Sequence, residues 1–296
     1  MKIFFLKISC ILLLFGLFAC QQGGAKKALE PAKPTVLVSI VPYAYFIEQI
    51  AQGRVDVELL VPSGADPHTY EPTPKQVQAA HRAKLWLRTG DPFEEKILKV
   101  LQKENTGLRP LQMWEGLPLL PLEEHAHCSH HNHGHEAQDL HVWLSPKLAK
   151  IQAQKIEEAL ALLLPESRAF FEKNLTQFLT SLDQLDNEVS SILAPLKDRA
   201  ILVSHPAFGY FCRDYGLLQL SIESEGKEAL PQKIALTLKE AAQHHVGCVI
   251  TQGQYSPKAA ELVAKKLQLP IFSIDPYAEN YFENLRLLAS VVAQSS

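Results

Sequence analysis

The run from Pro165 to Leu193 most restricts how this chain can fold. Phe171, Leu175, Phe178, Leu182, Leu185, Val189 and Ile192 recur at alternating spacings of four and three. That period puts every one of them on a single stripe of a helix of about 28 residues, about 42 Å long at 1.5 Å per residue. Such a stripe has to be covered, either by a second chain in a coiled coil or by two bodies of the same chain. The flanking charges form no clean heptad pattern. The helix is therefore expected to lie along two lobes of one chain, which acts as a monomer.

On both sides of that helix the sequence alternates strand with helix. Thr35–Val41, Val55–Val61 and Leu85–Arg88 read as strands, interleaved with helices over Tyr43–Gln52, Pro74–Ala83 and Asp91–Gln102. After the long helix come strands at Ala200–Val203, Leu218–Ile222, Cys248–Thr251 and Ile271–Ile274. Helices at Ala207–Tyr215, Pro231–His245, Ser256–Leu267 and Tyr281–Ala293 separate and close them. Strand-then-helix repetition means parallel sheets flanked by helices, an α/β class. The expected division is an N-terminal lobe over 35–145, linking helices over 146–198 and a C-terminal lobe over 199–296.

The N-terminus stands outside that fold. Met1–Lys7 carries two lysines, and Ile8–Phe18 is apolar but short for a membrane span. Residues 1–19 read as a signal peptide. The run ends Leu17-Phe18-Ala19-Cys20, similar to a bacterial lipobox, which implies cleavage before Cys20 and lipidation of its thiol. Residues 20–34 then form a lipidated polar tether, and the protein is expected in the periplasm or at the cell surface, anchored by that lipid. Export leaves Cys128, Cys212 and Cys248; a Cys212–Cys248 bridge and two buried thiols are both compatible with the sequence. The formal net charge is −3 and no basic cluster follows the leader, so nucleic acid is excluded as a partner.

Histidine is unevenly spread. Of twelve histidines, six (His125, His127, His130, His131, His133 and His135) fall within a loop over 123–138. A tract this dense attracts metal weakly. His141 stands apart in an apolar segment, His68 follows the second strand, His205 follows the first strand of the second half, and Asp275 follows the last strand. Ligands of open α/β sheets bind beyond the carboxyl ends of strands. These four residues are therefore placed to meet as metal ligands between the lobes, while His81, His244 and His245 read as surface residues.

Four segments carry a family resemblance. They are Asp66-Pro67-His68-Thr69-Tyr70-Glu71-Pro72-Thr73-Pro74, Asp139-Leu140-His141-Val142-Trp143-Leu144-Ser145-Pro146, Ser204-His205-Pro206-Ala207-Phe208-Gly209-Tyr210-Phe211 and Ile274-Asp275-Pro276-Tyr277. Taken in order over residues 35–293, they resemble the metal-binding lipoproteins of bacterial ABC importers, the cluster A-I or ZnuA/TroA/PsaA-like family. Ile222-Glu223-Ser224-Glu225-Gly226-Lys227-Glu228 also resembles a loop of that family. The resemblance implies ligands at His68, His141, His205 and Asp275, a rigid linking helix, and an ABC permease with its ATPase as partners. Two departures are visible: Pro206 stands where an acidic residue is common, and Gln252-Gly253-Gln254 where many members carry a glutamate.

Three imidazoles with one carboxylate suit tetrahedral Zn²⁺, which would be the transported ligand; Mn²⁺ favours more oxygen ligands. A Mn²⁺ or Fe²⁺ importer component and an adhesin-like metal-buffering lipoprotein are the alternatives. A zinc hydrolase is the remote one. His135-Glu136-Ala137-Gln138-Asp139 fails the His-Glu-x-x-His pattern, and no Gly-x-Ser-x-Gly elbow occurs. The expected protein is not an enzyme.

Overall fold

A computed structural model describes residues 32–122, 138–223 and 230–295. The leader, Cys20 with most of the tether, the six-histidine tract and Cys128 lie outside the described residues. Residues 33–295 belong to one compact unit. Among the described residues no helix is long and apolar enough to cross a membrane.

The first half contains β1 (Thr35–Val38), α1 (Val41–Ala51), β2 (Asp56–Leu59), α2 (Pro74–Ala80), β3 (Ala83–Arg88), α3 (Pro92–Glu104) and β4 (Arg109–Gln112). Its sheet is wholly parallel, in the order β2-β1-β3-β4. The second half contains β5 (Ala200–Val203), α6 (Gly209–Tyr215), β6 (Leu218–Ser221), α7 (Pro231–Ala241), β7 (Val246–Thr251), α8 (Lys258–Leu267), β8 (Ile271–Ser273) and α9 (Tyr281–Gln294). Its sheet repeats the same parallel order, β6-β5-β7-β8. Between them run α4 (Pro146–Leu163) and α5 (Arg168–Leu193). The class expected from the alternation is the one found: two parallel sheets flanked by helices, with a long helix between them.

Two details differ from the pattern in the sequence. Strand β4, Arg-Pro-Leu-Gln, lacks β-branched residues and contains a proline. It is tolerated because β4 is an edge strand, where a missing N–H costs no ladder bond. On α5 the buried stripe is Phe171, Asn174, Phe178, Leu182, Leu185, Val189 and Leu193, so Leu175 and Ile192 lie at its margins. Asn174 belongs on the stripe because its Nδ2 donates to the Ile50 carbonyl at 2.9 Å, satisfying the end of α1. The stripe is covered within the chain: Phe178 meets Phe46, Phe282 and Tyr45 from α1 and α9. One apolar cluster joins Val36 and Ile50 of the first half to Ile201 and Leu285 of the second.

Cys212 and Cys248 are both buried thiols with no bridge between them. Burial pushes the Cys248 thiol up to about 11, so it stays protonated and packs as a small apolar group. His244 and His245 are exposed, as expected of surface residues, whereas His81 is half-buried with its Nε2 3.4 Å from Glu104.

Candidate metal centre

The sequence order 2-1-3-4 reverses direction beside the first strand of each sheet, and the loops beyond the strands' carboxyl ends diverge there. His205 leaves β5 at that point. Its backbone is fixed by Gln252, which follows β7: Gln252 Oε1 accepts the His205 N–H at 3.0 Å and Nε2 donates to the His205 carbonyl at 2.8 Å. Ser204 Oγ also donates to Gln252 Oε1. His68 sits in the turn after β2, where Asp66 Oδ1 accepts its N–H at 3.0 Å. His141 opens a single 3-10 turn, Val142–Leu144, ahead of α4. Trp143 in that turn donates to the Pro276 carbonyl at 2.8 Å, tying the segment to the second half.

The three imidazoles converge by their Nε2 atoms. His68 Nε2 lies 3.2 Å from His205 Nε2, which lies 3.4 Å from His141 Nε2. Among the described residues these three are the group whose ligand atoms all fall within 4.8 Å of one another. The other ring nitrogen of each faces a carboxylate. His68 Nδ1 is 3.0 Å from Asp91, His141 Nδ1 is 2.8 Å from Asp139, and His205 Nδ1 is 3.7 Å from Glu223. A carboxylate on Nδ1 holds the proton there and aims the Nε2 lone pair at the centre. Asp139 does this tightly, because its Oδ1 accepts from both the His141 ring and the His141 N–H. The third pair is looser: 3.7 Å exceeds hydrogen-bond length, and His205 Nδ1 and Glu223 Oε1 are both buried without a hydrogen-bond partner.

Electrostatics favour the neutral, ligating form of the deepest ring. Burial, then the neighbouring His141 and His68, hold the His205 pKa well below the usual histidine value. Burial, with Asp66 adding to it, pushes Glu223 up to about 7, against a smaller lowering by His68. The Asp91 loop is braced by Glu94, which is 0% exposed and accepts from Thr89 N at 2.8 Å and Gly90 N at 2.9 Å. Gly90 has φ of 98°, and a Cβ there would stand 2.5 Å from Leu140 Cδ1. Only glycine lets the Asp91 loop press against the residue before His141.

Asp275 is placed differently. It lies beyond β8, with its Oδ1 accepting from Gln254 Nε2 at 2.7 Å and from Tyr277 N at 2.8 Å, and the tri-histidine cluster forms without it. Sequence reasoning did not single out Asp91, Asp139 or Glu223 as Nδ1 partners. Asp139 had a signal, two residues before His141; Asp91 and Glu223 are brought to His68 and His205 only by the sheets. The replacement of a glutamate by Gln252-Gly253-Gln254 now has a structural content, since one amide cradles His205 and the other holds Asp275.

The spacing fits a small tetrahedral ion. Two nitrogens each about 2.05 Å from such an ion lie about 3.3 Å apart, which matches the two Nε2 separations. The arrangement defines a class: an α/β protein that binds a transition metal between two sheets. Residues 36–295 match the family model of ZnuA, the periplasmic component A of a zinc-uptake complex, and the chain belongs to that family. It is a family of solute-binding components of ABC importers, not an enzyme family. A putative metal-binding protein of Chlamydia trachomatis is 33% identical over 284 residues, covering 95% of this chain and 98% of that one. The high-affinity zinc uptake system protein ZnuA of Yersinia pestis is 29% identical over 265 residues, 83% of each chain. A crystal structure of ZnuA superposes with a TM-score of 0.81 at 35% identity, covering 89% of this chain and 100% of that one.

Proposed function

We propose that this chain captures Zn²⁺ outside the inner membrane and hands it to an ABC permease driven by its ATPase, with the lipid on Cys20 tethering it. The observation that carries this reading is the convergence of three Nε2 atoms, two of them backed by a carboxylate within hydrogen-bond reach of Nδ1. Three neutral imidazoles favour zinc over manganese, which prefers more oxygen ligands. Asp275 is assigned the fourth position. Its Oδ1 is held by Gln254 and Tyr277, and the carboxylate closes on the ion once the histidines have taken it. A fourth protein ligand displaces the water that a catalytic zinc would need, which supports a carrier and not a hydrolase. The tract over His125–His135 acts as an antechamber that raises local metal concentration.

Metal analysis of untagged protein, followed by competition among Zn²⁺, Mn²⁺ and Fe²⁺, tests the reading. One tight zinc per chain, weakened in Asp275→Ala, is the expected result. Tight manganese with weak zinc refutes the metal, and an unchanged Asp275→Ala affinity removes Asp275 from the ligand set. Zinc-dependent peptidase or esterase turnover would refute the carrier role.

A further inference from the structure

The three histidines are not equally shielded. The His141 and His205 side chains are 5% and 2% exposed, whereas His68 is 27% exposed. Water and any competing ligand reach the centre on the His68 side. A chelated ion leaves stepwise, and the first bond to open is the one whose ligand can turn into solvent and be replaced by water. Whatever holds His68 in place therefore controls exit.

Contacts from its own half hold the His68 turn: His68 Nδ1 lies 3.0 Å from Asp91, Asp66 Oδ1 accepts the His68 N–H at 3.0 Å, and Asp66 Oδ2 accepts from Thr69 Oγ1 at 2.8 Å. A further one comes from the opposite half. Tyr255 follows β7, and its hydroxyl donates to the same Asp66 Oδ1 at 3.2 Å. Its ring lies flat on the His205 imidazole, with centroids 4.2 Å apart and planes 14° apart. Tyr255 is 8% exposed, and its own N–H is bound to the Gln252 carbonyl at 3.1 Å. Gln252 is the residue that fixes the His205 backbone. One buried, backbone-anchored side chain thus touches the turn that carries the exposed ligand and the ring of the deepest one.

We infer that Tyr255 is a positioning residue that latches the exit side of the metal centre across the two halves and so sets the rate at which bound metal leaves. The inference rests on the proposed zinc site. Tyr255 contacts no ligand nitrogen along the metal direction: its face covers His205 and its oxygen is on Asp66. Its action is on the freedom of His68. Losing the hydroxyl loosens the His68 turn while leaving the Nε2 donors intact, so release changes more than capture.

The test is stopped-flow release of Zn²⁺ from full-length loaded protein into excess chelator at 25 °C, with association rates measured separately. Tyr255→Phe keeps the ring and removes the hydroxyl; Asp66→Asn removes the charge it binds; the double variant closes the cycle. A hydrogen bond to a carboxylate is worth about a tenfold change in rate when it is lost. Tyr255→Phe is expected to release zinc about tenfold faster with association within about twofold of wild type. The double variant is expected to release no faster than Asp66→Asn alone, because that substitution already removes the charge that the Tyr255 hydroxyl binds. Wild-type release in Tyr255→Phe, or effects of the two substitutions that multiply, would overturn the inference. If the wild type itself takes up no zinc, the metal-site reading fails first, and that outcome is told apart by stoichiometry before any rate is measured.

Discussion

Asp139 offers the sharpest test of the metal centre. Its Oδ1 accepts two hydrogen bonds from one residue, the His141 ring at 2.8 Å and the His141 N–H at 2.9 Å, and it is only 5% exposed. Asp139→Asn preserves the shape and one acceptor oxygen but removes the charge. A bond to a charged acceptor is worth about 1.5–3 kcal/mol and a neutral one about 0.5–1.5 kcal/mol, so the loss is about 1.4 kcal/mol, or about tenfold in zinc affinity. Asp139→Ala removes the acceptor entirely and is expected to weaken binding about a hundredfold, the upper end for partners of metal-bound histidines. The segment stays pinned in both variants through main-chain contacts. Asp139 N donates to the Leu120 carbonyl at 2.9 Å, and Tyr210 donates to the Asp139 carbonyl at 2.6 Å. Competition against a chromophoric chelator at pH 7.5 gives the dissociation constants, and far-ultraviolet circular dichroism checks folding. A folded Asp139→Ala that binds zinc within about twofold of wild type would refute the claim that the carboxylate orients His141.

Three further outcomes follow from the same contacts. His205→Ala is expected to abolish the tight zinc site, whereas deleting residues 125–135 leaves it and only slows capture; calorimetric titration of both variants separates them. In metal-free protein the depressed His205 pKa means that the native state holds fewer protons than the unfolded chain below about pH 6.5, so this group's contribution to stability falls as pH drops. Glu223, raised to about 7, has the opposite sign: the native state holds more protons than the unfolded chain between about 4.3 and 7, so its contribution grows as pH falls through 7. Melting temperature followed from pH 7.5 to 5 is therefore expected to become less acid-sensitive in His205→Gln and more so in Glu223→Gln. Finally, Glu94 pairs with Arg88, itself 3% exposed, and accepts from Thr89 and Gly90. Glu94→Leu strands those donors and is expected to cost about 3–5 kcal/mol in urea unfolding.

Much of this architecture was legible in residue order, for reasons that differ by element. The strand-helix alternation and the α5 stripe announce themselves because burial imposes periods that local sequence must obey. Strand β4 escaped because an edge strand needs neither β-branched residues nor every N–H. At the centre, His68, His141 and His205 could be picked out because each follows a strand or opens a helix beside a rigid neighbour. Their Nδ1 partners could not all be found the same way. Asp139 is local to His141, but Asp91 reaches His68 only after β2 and β3 are placed on either side of β1. For Asp275 the sequence offers only its place after β8, and the amide of Gln254 that holds its Oδ1 becomes visible only once β7 and β8 are paired.

The unbroken apolar cluster that runs from Ile50 through Phe178 to Leu285 also decides how the chain responds to heat. Each sheet also packs a cluster of its own, but because both contribute to this shared one, melting either half would expose the other's packing, and calorimetry is expected to register a single transition. Cargo held at one edge is then felt everywhere. An ion at a hundred times its dissociation constant adds about 2.7 kcal/mol to the unfolding free energy of the entire cooperative body. Amide protons in β4 and β8, outer strands that carry none of the three histidines, would exchange more slowly in loaded protein.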